Sequence, residues 1–431
     1  MSTFLICCTP AHGHVLPLVA VARHLEASGH RVLVLTSERY RARVEAAGAR
    51  LVPLPADADV DLDRAADLPG RAGLRGPAAM RFDLRQLFLR PAPAQLAAVE
   101  AVPATESVDA VLTEPLFVGA AMLTARPRAT RPPVVALGIF PLGAMSRDAA
   151  PFGLGLTPVP GPLGRVRNVV LNVVASRVVF GSVQREAEAL FRSTAGAPLR
   201  RFLMDWTTTA DALVQFTVPG FEYPRSDLPA SVHFVGPLPP AVSEVAVPAW
   251  WPELEGGRPV VHVTQGTIAN SDPEQLILPT VRALAGRDVL VVVSTGGRPV
   301  GLLGDDLPAN VRVAEYLPYD RLLPLVDVMV TNGGYGGVQQ ALAHGVPLVV
   351  AGQTEDKLEV TARVGWSGAG INLRTDRAAD ADVAAAVDTV LRDPSYRTAA
   401  ARIGAEIARA PGLAGLDAVL AGLGGSVAVS A

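Results

Sequence analysis

Three features predict an α/β protein made of two Rossmann-like β/α/β domains. Short apolar runs alternate with stretches of helical spacing, and the series occurs twice, over residues 4–235 and 260–408. Between the two series, residues 237–252 hold five prolines and no helical period, as an interdomain linker would. Each series also places chemistry-bearing residues just after a strand, the position where open α/β sheets bind ligands. These are His12-Gly13-His14 in the first series and Asn332 through Gly337 in the second.

In order, the runs 4–8, 31–36 and 51–54 read as strands. Residues 15–28, with Leu18, Val21, Ala22 and Leu25 on one face, and 40–47 read as the helices between them. That rhythm predicts a parallel sheet covered on both faces. Residues 91–102 read as a helix. The runs 109–113, ending at Glu114, and 133–137 read as further strands. Residues 142–200 are Gly/Pro-rich and then helical, where such folds insert substrate-facing segments. Strands at 212–217 and 232–235 complete the first domain.

The second series reads as strands at 260–263, 289–294, 311–314, 326–330, 348–351 and 368–371. Its helices fall at 279–285, 338–343, 358–364, 380–391 and 396–408, with one more at 412–423. The expected division is a first domain over 1–238, a linker over 239–255 and a second domain over 256–411.

The chain has 431 residues, 49% hydrophobic and 18% charged, a composition that can fill two large cores. A formal net charge of -3 gives no basic footprint for nucleic acid. Mean hydropathy is +0.31. No run reaches the roughly 18 apolar residues of a membrane span, and MSTFLICCTP lacks the basic start of a secretion signal. Cys7 and Cys8 are adjacent in an apolar run, so they are expected as buried thiols in a reducing, cytoplasmic setting. Asp57, Asp59, Asp61 and Asp63 alternate in an irregular loop over 56–75 and read as a solvated acidic stretch, so no metal is expected.

The stretch Thr331-Asn332-Gly333-Gly334-Tyr335-Gly336-Gly337 joins a strand to a helix. Glycines let a backbone approach a ligand closely, and a helix start offers unpaired amides to an anion. It matches neither GxxxxGK[ST] nor GxGxxG, and no acidic residue follows at the spacing a dinucleotide site needs. The stretch, with Gln340, Gly345-Val346-Pro347 and Asp356-Lys357, resembles the donor signature of family 1 glycosyltransferases of GT-B fold, which use UDP- or TDP-sugars to decorate natural products. It departs from that signature where Asn332 replaces a histidine, Gly337 a hydroxyl residue, Gly352 a proline, Gln340 a glutamate and Lys357 a glutamine.

The resemblance implies a donor site of Gly266, Thr267, Tyr316, Leu317, Asn332, Gly333, Gly334, Gly336, Gly337, Gln340, Asp356 and Lys357. In it, Gly266 and Thr267 contact the diphosphate, Tyr316 stacks on the base and Asp356 holds sugar hydroxyls. Lys357 is expected to pair with Glu355 or Glu359. The resemblance also has the two domains face each other across a cleft and the tail 412–431 cross back onto the first domain.

Transfer to a hydroxyl needs a base, and histidine titrates in the right range. TPAHGHVLPL resembles the family turn whose histidine after glycine is that base, which maps to His14, with Glu114 where the family carries an aspartate. Without the resemblance, a lone histidine such as His14 is more often structural, capping its helix or facing solvent. His12, Phe117 and Phe140 are expected to line an acceptor site continued by the apolar loops of 138–190.

The expected function is an inverting, metal-independent transfer to an apolar acceptor such as a macrolide, polyketide or aromatic aglycone. The expected ligands are a sugar donor and that acceptor, and a homodimer is compatible with the sequence. Two alternatives remain open at this point: a sugar-nucleotide epimerase of the same fold, and a catalytically silent partner of another transferase.

Overall fold

The computed structural model describes residues 1–62, 67–102, 104–240, 245–267 and 270–425. Asp63, the linker residues 241–244 and the tail 426–431 lie outside them. The first sheet comprises β1 (Thr3–Cys7), β2 (Arg31–Thr36), β3 (Arg50–Pro53), β4 (Ala110–Thr113), β5 (Val134–Gly138), β6 (Ala212–Gln215) and β7 (Val232–Phe234). The second comprises β8 (Val260–Thr264), β9 (Leu290–Ser294), β10 (Val311–Ala314), β11 (Val328–Thr331), β12 (Leu348–Val350) and β13 (Gly370–Asn372).

The helices of the first half are α1 (His12–Ala27), α2 (Arg41–Glu45), α3 (Gly76–Asp83), α4 (Ala92–Ala101), α5 (Val118–Ala125), α6 (Pro162–Val173) and α7 (Gly181–Leu190). Those of the second are α8 (Ile277–Leu284), α9 (Tyr319–Leu322), α10 (Tyr335–Ala343), α11 (Lys357–Ser367), α12 (Asp380–Arg392), α13 (Pro394–Arg409) and α14 (Leu413–Gly425).

Both sheets are parallel. The seven-stranded one runs β3-β2-β1-β4-β5-β6-β7 and the six-stranded one β10-β9-β8-β11-β12-β13. The strand order therefore reverses between β1 and β4, and again between β8 and β11. Those two switch points are where the loops splay apart and leave a crevice.

Each sheet is buried on both faces, and the alternation of side chains sorts them into two cores. Leu5, Cys7, Leu33 and Val111 join one core of the first sheet, and Phe4, Ile6, Cys8, Val32 and Leu112 the other. Cys7 and Cys8 are both buried free thiols on opposite faces. Val260, Leu290 and Met329 face one core of the second sheet, and Val261, Val291 and Val328 the other. Each such side chain contributes about 1.5–3 kcal/mol by leaving water, which makes the strand centres the rigid frame under both turns. Helix α14 lies on the first sheet: Leu416 is fully buried in its core and Asp417 Oδ2 is 2.8 Å from His24 Nε2.

Several elements differ from the sequence expectation. Helix α1 begins at His12, so His12-Gly13-His14 is its first turn and not a loop before it. Helix α10 begins at Tyr335, because Gly334 in extended conformation can end the loop and two glycines do not prevent a first turn. Helix α5 has every residue buried and so shows no amphipathic period to read. Residues 76–89 form α3 and a π-helical turn that no periodicity flagged. Asp59 accepts from Ser37 Oγ at 2.8 Å and Asp61 pairs with Arg39 at 2.7 Å.

Candidate functional site

The first switch point positions an imidazole against a carboxylate. Ala11 is extended and its carbonyl accepts from His14 N at 3.0 Å and Val15 N at 2.9 Å, which starts α1 directly after β1. Strand β4 pairs with β1, Cys7 opposite Thr113, so Glu114 emerges beside the start of α1. Glu114 is fully buried. Its Oε1 accepts from Thr9 N at 3.2 Å and from the Thr9 hydroxyl, and its Oε2 from Leu116 N at 2.6 Å.

His14 Nδ1 stands 3.2 Å from Glu114 Oε2, at ion-pair distance but without hydrogen-bond alignment. Burial alone would lower the His14 pKa. The Glu114 carboxylate outweighs it, with Asp356 and Glu355 adding smaller contributions, and the net pKa is raised. Burial likewise opposes the ionised Glu114, but His14, Thr9 and the Leu116 amide hold its carboxyl below the usual range. Nδ1 faces Glu114, which leaves Nε2 as the nitrogen able to meet a substrate.

Phe140 stands with its ring centroid 6.4 Å from that of His14, and Phe152 continues the wall 6.1 Å further on. His12 is half-buried, 6.5 Å from the Tyr40 ring. Phe117 does not belong to this wall. It precedes α5 and is fully buried in the core of the first sheet, so no acceptor reaches it.

The second switch point is built from backbone. Gly333 has φ 85°, and a Cβ there would lie 2.7 Å from Thr361 Cγ2. The first internal bond of α10 runs from Val338 N to Gly334 O at 3.0 Å. The amides of Tyr335, Gly336 and Gly337 therefore have no carbonyl within the helix to bond, and Gly336 opens onto empty space. Asn332 Nδ2 donates to Gln265 O at 2.5 Å, joining this turn to the turn after β8. Gly266 there has φ 70° and Thr267 is exposed. Gln340 is half-buried in the second turn of α10.

Tyr316 is 51% exposed, so it is no core aromatic, while its neighbour Leu317 is buried. Asp356 precedes α11. Burial pushes its carboxyl up, the Lys357 ammonium and more distant His14 pull it back, and Glu355 adds to the rise. His14 and Asp356 each contribute to the other's titration, so the two turns lie within range of charge–charge interaction. Lys357 is buried and pairs with Glu355, which holds a left-handed φ of 55°.

A buried ion cluster, which the sequence reading missed, ties the halves together. Arg363 on α11 is fully buried, with Nη2 2.9 Å from Glu222 Oε2 and Nη1 2.8 Å from Glu359 Oε2. Glu359 Oε1 accepts from Gly153 N at 2.8 Å and Gly155 N at 2.9 Å, so the loop carrying Phe152 is fastened to the helix that Asp356 begins. The Glu359–Arg363 spacing on an apolar helix face was a usable local signal. Glu222, 141 residues from Arg363, gave none. Gln339 adds a further tie by donating to Phe216 O at 2.9 Å.

Among the described residues, no three His, Cys, Asp or Glu side chains are grouped closely enough to hold an ion. A cavity of about 700 Å³ lies between β7 and α14, lined by Val232, Phe234, Pro411 and Val419, away from both turns. A smaller crevice at the second turn is lined by Asn332, Gly352, Thr354 and Lys357. Among the described residues, no single helix is long and apolar enough to cross a membrane.

Residues 280–418 match the family model described as erythromycin biosynthesis protein CIII-like, C-terminal domain. The chain is 46% identical over 408 residues to 4'-demethylrebeccamycin synthase of Lentzea aerocolonigenes, covering 94% of this chain and 95% of that one. It is 37% identical to UDP-glycosyltransferase 2 of Phaeomoniella chlamydospora, covering 92% and 90%. The crystal structure of a calicheamicin glycosyltransferase superposes with a TM-score of 0.74 at 22% identity over 99% of both chains, a likeness of fold. With two parallel sheets of that architecture and relatives this similar over nearly their whole length, the chain belongs to the family 1 glycosyltransferases of GT-B fold and is an enzyme of the natural-product type.

Proposed function

We propose that the enzyme transfers a sugar, with inversion, from a UDP- or TDP-sugar to a hydroxyl of an apolar natural product, without a metal ion. The observation that carries this reading is the imidazole of His14, 3.2 Å from buried Glu114 and beside a Phe140–Phe152 wall whose loop is hydrogen-bonded to the helix that follows Asp356. His14 Nε2 takes the acceptor proton while the acceptor oxygen bonds to the anomeric carbon. The bond to the diphosphate breaks with its electron pair, from the opposite face of the sugar.

The leaving diphosphate settles against the amides at the start of α10 and the Gly266–Thr267 turn, which supply the electrostatic stabilisation. Tyr316 stacks on the base, with Leu317 behind it, and Asp356 holds the sugar hydroxyls. Asn332 holds the two donor turns together, and Gln340 hydrogen-bonds the ribose. Lys357, paired with Glu355, orders the Asp356 loop. The relatives named as UDP-glycosyltransferases favour a uridine donor, and the relative named 4'-demethylrebeccamycin synthase favours a natural-product acceptor. Phe140, Phe152 and His12 form the acceptor wall.

The test is a panel of UDP- and TDP-sugars against aromatic and macrolide aglycones, read by mass spectrometry. An acceptor gaining one sugar residue is the expected result. Isomerised donor in the absence of any acceptor, or no donor binding at all by calorimetry, would overturn the reading.

The pH profile follows from the pair. A protonated His14 cannot accept a proton, so the rate falls as pH drops through its raised pKa. Glu114→Gln removes the main cause of that rise, and burial then pulls the pKa down. The acid limb of kcat/KM should move to lower pH, with a lower plateau. An unmoved limb would mean that another group titrates there.

A further inference from the structure

Helix α6 and the π-helical turn that continues it, Val174–Val179, carry their polarity inside out. Asn168 and Asn172 are buried and donate to the carbonyls of Arg147 at 3.2 Å and Ser146 at 2.9 Å. Leu163, Val166, Val169, Val170, Val173 and Val178 point outward, with Leu163 84% and Val178 72% exposed. A surface helix of a free-standing domain has the reverse pattern, and a contiguous apolar patch of this kind marks a contact surface.

The patch has a cationic setting. Segments 71–90 and 147–188 hold ten arginines against two aspartates and two glutamates, in a chain of net charge -3. They adjoin in space: Arg81 Nη1 donates to Val179 O at 3.1 Å and Arg85 Nη2 to Ser182 Oγ at 2.8 Å. Three of these acids are engaged within the patch, Asp83 by Arg71 at 2.6 Å, Asp148 by Arg165 at 2.8 Å and Glu186 by Arg85 at 2.7 Å, which leaves the arginines in excess. Helix α6 and its continuation contain Arg165, Arg167 and Arg177 and no acidic residue. The patch also begins at the cleft: Phe152 contacts Phe140, and Leu154 and Leu156 lead outward, exposed, to the helix.

We propose that this face rests on an anionic lipid bilayer, with α6 lying in the headgroup layer and the cleft mouth at the membrane surface. Apolar side chains flanked by arginines fit such an interface, where burial of the apolar face and attraction to anionic lipid add. The buried asparagines keep the other face on the protein, so the helix lies on the bilayer and does not span it. A second copy fits less well, because a twofold contact would bring one arginine rim against its equivalent. Entry of an apolar acceptor from the lipid rests on the function proposed above; the membrane contact does not.

The test is flotation of the whole protein with phosphatidylcholine vesicles, with and without phosphatidylglycerol, and needs no activity readout. The wild type should float with the anionic vesicles, less so at high salt. Leu163→Ser/Val166→Ser/Val170→Ser should lower the bound fraction by about tenfold or more, and Arg177→Glu should lower it on anionic vesicles. These side chains are exposed, and an unchanged thermal midpoint would verify folding. Failure of the wild type to float with anionic vesicles would overturn the proposal, as would undiminished flotation of the triple variant. So would light scattering that finds a wild-type dimer and a monomeric triple variant, which would assign the face to a second copy.

Discussion

His14→Ala is expected to lower the rate of transfer to a hydroxyl acceptor by about 10²- to 10⁴-fold, the span over which a positioned general base acts. Donor affinity should stay near that of the wild type, because the donor turns belong to the other sheet. The fold should persist: alanine suits a first helical turn, and Glu114 keeps the Thr9 and Leu116 donors. Calorimetry with UDP and TDP separates binding from chemistry. His14→Ala/Glu114→Gln should be little worse than His14→Ala alone, because two residues that act as one unit do not add. A near-normal rate in the single variant would remove His14 as the base, and additive losses would separate Glu114 from it.

What the sequence disclosed follows from where each signal was local. The strands at 4–8, 31–36 and 260–263 were legible because parallel strands buried on both faces read as unbroken apolar runs. The Asn332–Gly337 turn was legible because its glycines, strand and helix are consecutive. His14 was placed after β1, but its distance to Glu114 depends on the register of β1 with β4, which no local pattern states. Phe117 was misplaced for the same reason. Its position after Glu114 suggests the cleft, yet the chain turns it inward to begin α5, whose every residue is buried. Lys357 beside Glu355 fits an expected local pair, and the structure has it. Arg363, by contrast, adds to its neighbour Glu359 two partners from segments more than a hundred residues away.

Arg363→Met should destabilise the enzyme by about 3–5 kcal/mol, the usual cost of removing one partner from a buried ion pair. That is a large share of the ~5–15 kcal/mol that holds a typical domain together. The substitution leaves Glu222 and Glu359 buried without the guanidinium, and it removes the contact that stands 4.2 Å over the Tyr223 ring. Glu222 keeps Arg225 at 3.4 Å and the Leu142 amide at 2.8 Å, and Glu359 keeps the Gly153 and Gly155 amides, which favours the lower part of that range. Chemical denaturation would give the number, and a loss below about 1 kcal/mol would mean that the cluster is not desolvated as its burial implies. The charge logic also predicts a rescue. Replacing all three, Arg363→Met/Glu222→Gln/Glu359→Gln, removes the stranded carboxylates together with their partner and should recover part of the loss. If the triple variant is less stable than Arg363→Met, the cluster acts chiefly through hydrogen bonds to the 142–155 loop. The loop carrying Phe152 would then loosen from α11, and the acceptor KM should rise more than the donor KM.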